Sequence, residues 1–261
     1  YNYNKPQVRD GEKSYVNAID IRHSLIERLD NDDTYISNDI SLGQDEQGIL
    51  LYGTNAVGKT SLIKALGICI VLAQSGFYVP CSEFVYYPYT QLFTRILNND
   101  NMFKGLSTFA TEMVEMRTIL NMSDNRTCVL GDELCSGTEH DSAVSIFVAG
   151  LQWLYKKDSS FIFATHLHEI TKLQEINGMT NLSLKHLTVK YDKEQDMLIY
   201  DRKLKNGVGD TLYGLEVCKS LHLPHEFIEN AYTIRNKYKG IKSPLDSNTS
   251  TRYNSKVIIN K

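Results

Sequence analysis

Apolar and polar positions along this chain fall into two rhythms. Apolar runs recur at residues 48–52, 127–130 and 161–164, and runs of that length, bounded by glycine or polar side chains, suit strands buried on both faces. Alternation marks residues 16–29 and, after a polar link, 35–42. It returns at 183–191 and 197–204 around the hairpin-like turn Asp192-Lys193-Glu194-Gln195. Further short strands are expected just after Tyr78-Val79-Pro80 and at 91–96. A second rhythm is helical. Residues 61–68 have helical composition, with Gly76 as the stop. Phe109, Met113, Met116 and Leu120 recur at helical spacing behind Ser107. Val144, Phe147, Val148, Leu151 and Leu154 stripe residues 140–157, and Phe227, Ile228, Ala231 and Ile234 stripe 226–238 behind Pro224. The polar run 98–101 reads as a loop.

The chemistry sits where strands of this pattern end. Gly53, Thr54, Asn55, Ala56, Val57, Gly58, Lys59 and Thr60 satisfy G-x-x-x-x-G-K-[ST], the phosphate-binding P-loop. A strand-like run precedes it and a helical segment opening with Ser61 follows, which is the context that separates a P-loop from a glycine-containing turn. In such a loop the backbone N–H groups and the helix N-terminus cradle phosphate, Lys59 reaches the β and γ phosphates, and Thr60 holds Mg²⁺. The run 127–131 ends in Asp132-Glu133. A lone acidic pair at a strand end is usually a solvated turn. Behind a P-loop it becomes a Walker B pattern, with Asp132 beside Mg²⁺ and Glu133 polarising the attacking water.

His166, at the end of the run 161–165, is placed to sense the γ phosphate or to orient that water. Metal ligation by His166 is not expected, because no second ligand shares a recognisable spacing with it, even with His168 nearby. Ser107 reads either as a plain N-cap or as a hydroxyl and helix start offered to a phosphate. Tyr35 reads either as a packed strand residue or as a platform for adenine.

Composition narrows the setting. The 261 residues are 42% hydrophobic, enough for one large α/β domain with an appendage or for two small domains. A net charge of −3 gives no general attraction to nucleic acid or anionic membrane, so any DNA contact is local or lies elsewhere. The five cysteines form no C-x-x-C pair and mostly sit in apolar runs, which suits a reduced, intracellular chain. The longest apolar stretch is too short to span a bilayer and no signal-peptide layout is present, so a soluble protein without membrane association is expected.

Taken together these motifs resemble the ATPase domain of the MutS family of DNA mismatch repair proteins. Residues 53–61 are similar to the family's G-P-N-M-G-G-K-S-T. Phe93-Thr94-Arg95-Ile96 and the segment from Gly105 to Met113 resemble its F-T-R-I and G-x-S-T-F-x-x-E-M pair. Asp132-Glu133-Leu134 with Gly137-Thr138, Phe163-Ala164-Thr165-His166, and Tyr213-Gly214-Leu215-Glu216-Val217 with Leu223-Pro224 match further family motifs, so the resemblance covers about residues 21–235. It implies a P-loop ATPase of the ATP-binding-cassette-like type: an α/β fold with a mostly parallel sheet flanked by helices and a small C-terminal helical unit that pairs subunits.

The resemblance also implies the cofactors ATP and Mg²⁺, a homodimer, and ATP contacts from residues 53–60 with Ser61, from Tyr35 stacked on adenine and from the family's asparagine, here Asn38. It makes Ser107 a residue that completes the partner's site. DNA, and other repair proteins, are then engaged mainly through domains outside this chain. Where the family has methionine and glycine in the P-loop, Ala56 and Val57 stand here. Its Ser-Thr after Gly-Thr is replaced by Glu139-His140. These departures point to a divergent branch and put communication between subunits through this loop in doubt.

The expected organisation is the end of a preceding region at 1–15, the ATPase domain at 16–212, a helical dimerisation segment at 213–240 and a linker at 241–261. Some MutS-like proteins carry an HNH nuclease module in that last direction, a layout this linker would suit. Two other function classes stand beside the repair ATPase. One is a different cassette-type motor, whose L-S-G-G-Q signature is missing here. The other is a nucleotide-gated clamp with little hydrolysis.

Overall fold

In chain order the elements are β1 (Gln7–Val8), β2 (Tyr15–Ile21), α1 (Ile26–Leu29), β3 (Asn38–Leu42), β4 (Gly48–Tyr52), α2 (Lys59–Gln74), β5 (Glu83–Tyr87) and β6 (Gln91–Arg95). They continue with α3 (Thr108–Met122), β7 (Thr127–Asp132), α4 (His140–Lys156), β8 (Ser160–Ala164), a 3-10 turn (His168–Lys172) and α5 (Gln174–Asn177). Last come β9 (Leu182–Asp192), β10 (Met197–Asn206), α6 (Gly214–Ser220) and α7 (His225–Tyr238). The computed structural model describes residues 2–29, 35–55, 57–96, 108–135, 137–192, 197–209 and 214–238. Ala56, Ser107, Tyr213, the turn residues 193–195, the loop 98–101 and the expected linker 242–261 lie outside the described residues.

The chain divides into two compact units, one formed by 1–190 with 200–211 and the other by 191–199 with 212–261. In the first, a six-stranded sheet runs in the order β10-β9-β4-β8-β7-β6, and every pairing from β9 to β6 is parallel. All five residues of β4 and of β8 are buried, which is why their runs are apolar without alternation. The register sets Leu51 beside Ala164 and Asp132 beside Ala164. The P-loop, the acidic pair and His166 therefore leave one edge of the sheet side by side, at the carboxyl ends of its strands, where open α/β sheets bind ligands.

Aromatic packing fixes that register. Phe163 meets Phe147 of α4 edge-on at 5.6 Å between ring centroids. The rings of Phe161 and Phe163 lie over Gly48 and Gly131 of the neighbouring strands, where a Cβ would overlap them. On α2, Gly67 lets the helix approach β7, since a Cβ there would stand 2.8 Å from the Leu130 side chain.

A second sheet, in the order β1-β5-β2-β3, stands beside the mostly parallel one and was not expected as a separate sheet. Only β1 and β5 pair in parallel, and β2 is antiparallel to both β3 and β5. Helix α2 packs against β2 of this sheet and against β7 and β8 of the other. The strand expected next to residues 78–80 forms at 83–87. Val79 makes only an isolated bridge to Asn4, because the following Pro80 has no N–H to continue a ladder. Residues 7–8, within the stretch assigned to a preceding region, form β1 on the edge of this sheet.

The second unit contains α6 and α7, joined by Tyr232 Oη donating to Glu216 Oε1 at 3.0 Å and by an ion pair of Arg235 with Glu216 at 3.8 Å. Four of the five cysteines are buried, and all are free. Among the described residues no helix is long and apolar enough to cross a membrane.

Candidate functional site

The site begins with the turn out of β4. Gly53 and Gly58 have φ of 145° and 110°, values that L side chains rarely adopt, so the loop needs glycine at both positions. Val57 is fully buried and anchors the loop from below. It stands where the family pattern has glycine, and a Cβ at Gly53 would lie 2.9 Å from its side chain. Gly58 is the N-cap of α2, and Lys59, Thr60 and Ser61 form the first turn of that helix.

The Lys59 ammonium is held by the loop itself. Its Nζ donates to the Gly53 carbonyl at 2.7 Å and to the Thr54 carbonyl at 3.0 Å, and stands 3.5 Å from His166 Nε2. Burial lowers its pKa, while Glu133 and Asp132 oppose that shift. A buried cation resting on two neutral carbonyls is poised to exchange them for phosphate oxygens.

Thr60 Oγ1 donates to Asp132 Oδ2. The other oxygen, Asp132 Oδ1, is buried and has no hydrogen-bond partner among the described residues, and so is Thr54 Oγ1. A hydroxyl paired with a carboxylate that keeps one oxygen unused fits Mg²⁺, which takes one or two protein oxygens and completes its shell with water and phosphate. Among the described residues no group of three or more His, Cys, Asp and Glu could hold a metal ion, and a site of this kind does not require one.

Glu133, Asn55 and His166 converge although they come from three loops. His166 Nε2 lies 2.8 Å from Glu133 Oε1 and 2.9 Å from Asn55 Oδ1, so one imidazole nitrogen serves both acceptors. The Glu133 N–H donates to the Ala164 carbonyl at 3.0 Å, which ties the acidic loop to the end of β8. Beside these groups opens a cleft of about 220 Å³ lined by Glu133, Thr138, His140, Thr165 and His166, among others.

Both ends of the Asn38 side-chain amide are engaged. Its Nδ2 donates to the Arg202 carbonyl at 3.0 Å and its Oδ1 accepts from the Leu204 N–H at 2.7 Å, which ties β3 to β10. Tyr35 is half-buried next to the His23 backbone, and burial raises its phenol pKa. The two departures at 139–140 have local partners. The Glu139 carboxylate accepts from the hydroxyls of Ser142 and Thr138, which hold its pKa down to about 2. His140 Nε2 meets Glu169 Oε1 at 2.8 Å.

Glu112 of α3 was not among the sequence-predicted site residues. It is 4% exposed, and its Oε1 accepts the Cys135 N–H at 2.7 Å. Burial, with Glu112 second, pushes the Cys135 thiol up to about 12. The signal was present in the sequence: Glu112 precedes Met116 by four and Ile119 by seven, so it shares their buried face.

The family description MutS domain V matches residues 49–239. A mutS homolog of Acanthamoeba polyphaga mimivirus is 39% identical over 91% of this chain and 24% of its own length. The mitochondrial DNA mismatch repair protein mutS homolog of Sarcophyton glaucum is 35% identical over 95% of this chain and 25% of its own. The DNA mismatch repair protein MutS of Staphylococcus haemolyticus is 32% identical over 95% of this chain and 27% of its own. The chain thus spans about a quarter of the length of these relatives. With a family match over most of its length and a P-loop opposite an acidic pair, the chain belongs to the MutS family and carries its domain V, the ATPase domain.

Proposed function

We propose that this chain binds Mg-ATP and hydrolyses it as the ATPase module of a MutS-like DNA mismatch repair protein. The observation that carries this reading is the convergence of Lys59, the Thr60–Asp132 pair and the Glu133–His166 pair on one sheet edge. Backbone N–H groups of residues 53–60 and the start of α2 take the phosphates, with Lys59 leaving the loop carbonyls for phosphate oxygens. Thr60 and Asp132 are the residues that would hold Mg²⁺, which supplies charge neutralisation along the phosphate chain. Glu133 takes a proton from the attacking water, and His166, shared with Asn55, orients the carboxylate and meets the γ phosphate.

Two copies pair so that Ser107 of one completes the P-loop site of the other, and ATP binding moves a clamp on DNA. DNA and other repair proteins are met mainly by the remaining three quarters of the relatives' length. Supporting the repair assignment are the relatives themselves, which are named as mutS homologs and mismatch repair proteins. Adenine stacks on Tyr35, with Asn38 holding the adjoining strand in place.

Calorimetric titration of the full-length protein with Mg-ATP tests the binding half of this reading. Lys59→Ala is expected to weaken binding by tenfold or more, because a charge-assisted hydrogen bond contributes about 1.5–3 kcal/mol. Tyr35→Ala is expected to cost about 1 kcal/mol, the scale of one aromatic contact, and Tyr35→Phe very little. Unchanged affinity in Lys59→Ala would remove the P-loop assignment, and unchanged affinity in Tyr35→Ala the adenine stack.

A further inference from the structure

The loop that follows the Walker B strand has an unusual backbone. Glu133 has φ of 51° and Cys135 φ of 65°, both in the left-handed region, and neither is glycine. Side chains are rarely held there unless the surroundings over-determine the conformation, and such positions cluster at active sites. This loop has three fixings. The Glu133 N–H donates to the Ala164 carbonyl of β8 at 3.0 Å. Leu134 and Cys135 are buried in the core beneath it. The third fixing is Glu112, whose Oε1 accepts the Cys135 N–H at 2.7 Å. Helix α3 also reaches the loop a few residues on, where a Cβ built at Gly137 would stand 3.5 Å from the Phe109 side chain.

A carboxyl group at 4% exposure is an unfavourable way to fill a core position, since an apolar side chain there leaves no polar group to satisfy. Its Oε1 bonds the backbone of a residue two positions beyond Glu133. We infer that Glu112 is a positioning residue for hydrolysis: by holding the Cys135 N–H it locks the left-handed turn that aims the Glu133 carboxylate. The inference rests on reading Glu133 as the group that takes the proton of the attacking water. It gives α3 a task distinct from packing, because the same helix that begins just after Ser107 sets the geometry of Glu133 in its own chain.

Two substitutions separate reach from charge. Glu112→Gln keeps an acceptor oxygen at the same distance from Cys135 and removes the carboxyl group. Glu112→Asp keeps the carboxyl group and withdraws it by one methylene. In single-turnover ATP hydrolysis by the full-length protein, Glu112→Gln is expected to remain within about threefold of the unsubstituted rate, whereas Glu112→Asp should fall tenfold or more. Affinity for Mg-ATP should stay within about twofold in both, since neither touches the P-loop. A role in stability alone would lower binding and rate together.

The inference is overturned if Glu112→Asp hydrolyses ATP at the unsubstituted rate, if Glu112→Gln is the slower variant, or if affinity and rate fall in parallel. Hydrogen exchange in the unsubstituted protein adds an arm that no variant's folding can spoil. The Cys135 amide is expected to be protected, and exchange at the rate of an open loop would overturn the inference outright. An unsubstituted protein that binds ATP without hydrolysing it would instead defeat the proposed function, and this inference with it. Active unsubstituted protein, inactive Glu133→Gln and fully active Glu112→Asp would defeat the inference alone.

Discussion

Replacing Glu133 by Gln should leave Mg-ATP bound and slow single-turnover hydrolysis by about a hundredfold or more, the usual contribution of a positioned general base. The exchange removes a proton acceptor and leaves size and shape nearly unchanged. It is also conformationally safe. The left-handed backbone at 133 is held by its N–H bond to Ala164 and, two residues on, by the Cys135 N–H bond to Glu112, neither of which the Glu133 side chain makes, so Gln inherits the same turn. A Gln oxygen can still accept from His166 Nε2, which keeps the imidazole near Asn55 and Lys59. Binding and chemistry should therefore separate, with affinity near that of the unsubstituted protein and phosphate formation almost absent. Hydrolysis at the unsubstituted rate would show that another group takes the proton.

Mixing two inactive variants should restore activity if the sites are shared between chains. Lys59→Ala damages a P-loop, and Ser107→Ala damages the residue offered to the partner's P-loop. In a twofold dimer both surfaces occur in both sites. A mixed dimer holds one doubly damaged site and one intact site, formed by the P-loop of the Ser107→Ala chain and the serine of the Lys59→Ala chain. Random exchange makes about half the dimers mixed, so roughly a quarter of the unsubstituted activity should return when the sites act independently. Coupling between sites lowers that fraction. No recovery, with exchange of subunits confirmed by mass, would place Ser107 in its own chain's site or leave it as the cap of α3.

Much of the larger sheet was legible in the sequence because its central strands β4, β7 and β8 are buried on both faces. The runs in β4, β7 and β8 have no polar position to break them, and each ends in the residues that carry the chemistry. The smaller sheet was legible only as separate strands at β2, β3 and β5, not as a sheet. Its strand β1 is two residues long, and β5 carries Glu83, Val85 and Tyr87 on its more exposed face between buried Phe84 and Tyr86. That alternation is short and lies just beyond Pro80, so a strand is expected there without its partners. Pairing between β2 and β5 joins segments about seventy residues apart, and no local pattern encodes it.

The site shows the same division. Positions fixed by covalent neighbourhood, such as Lys59 and Thr60 within the P-loop, follow from the motif. Contacts made across the fold do not: Asn55 reaches His166 over 111 residues, and Asn38 reaches Arg202 over 164. Glu112 falls between the two cases. Its helical spacing marks a buried carboxyl group, and only the fold reveals that the loop after Glu133 is its partner.

On the proposed reading, the Thr60–Asp132 and Glu133–His166 pairs make this domain hydrolyse ATP. Single-turnover conversion of γ-labelled ATP by the full-length protein, with Mg²⁺ or with chelator and in the presence or absence of DNA, tests it most directly. Labelled phosphate should form only with Mg²⁺, and its rate should change when DNA is added. ATP that binds and remains intact in every condition would contradict the account.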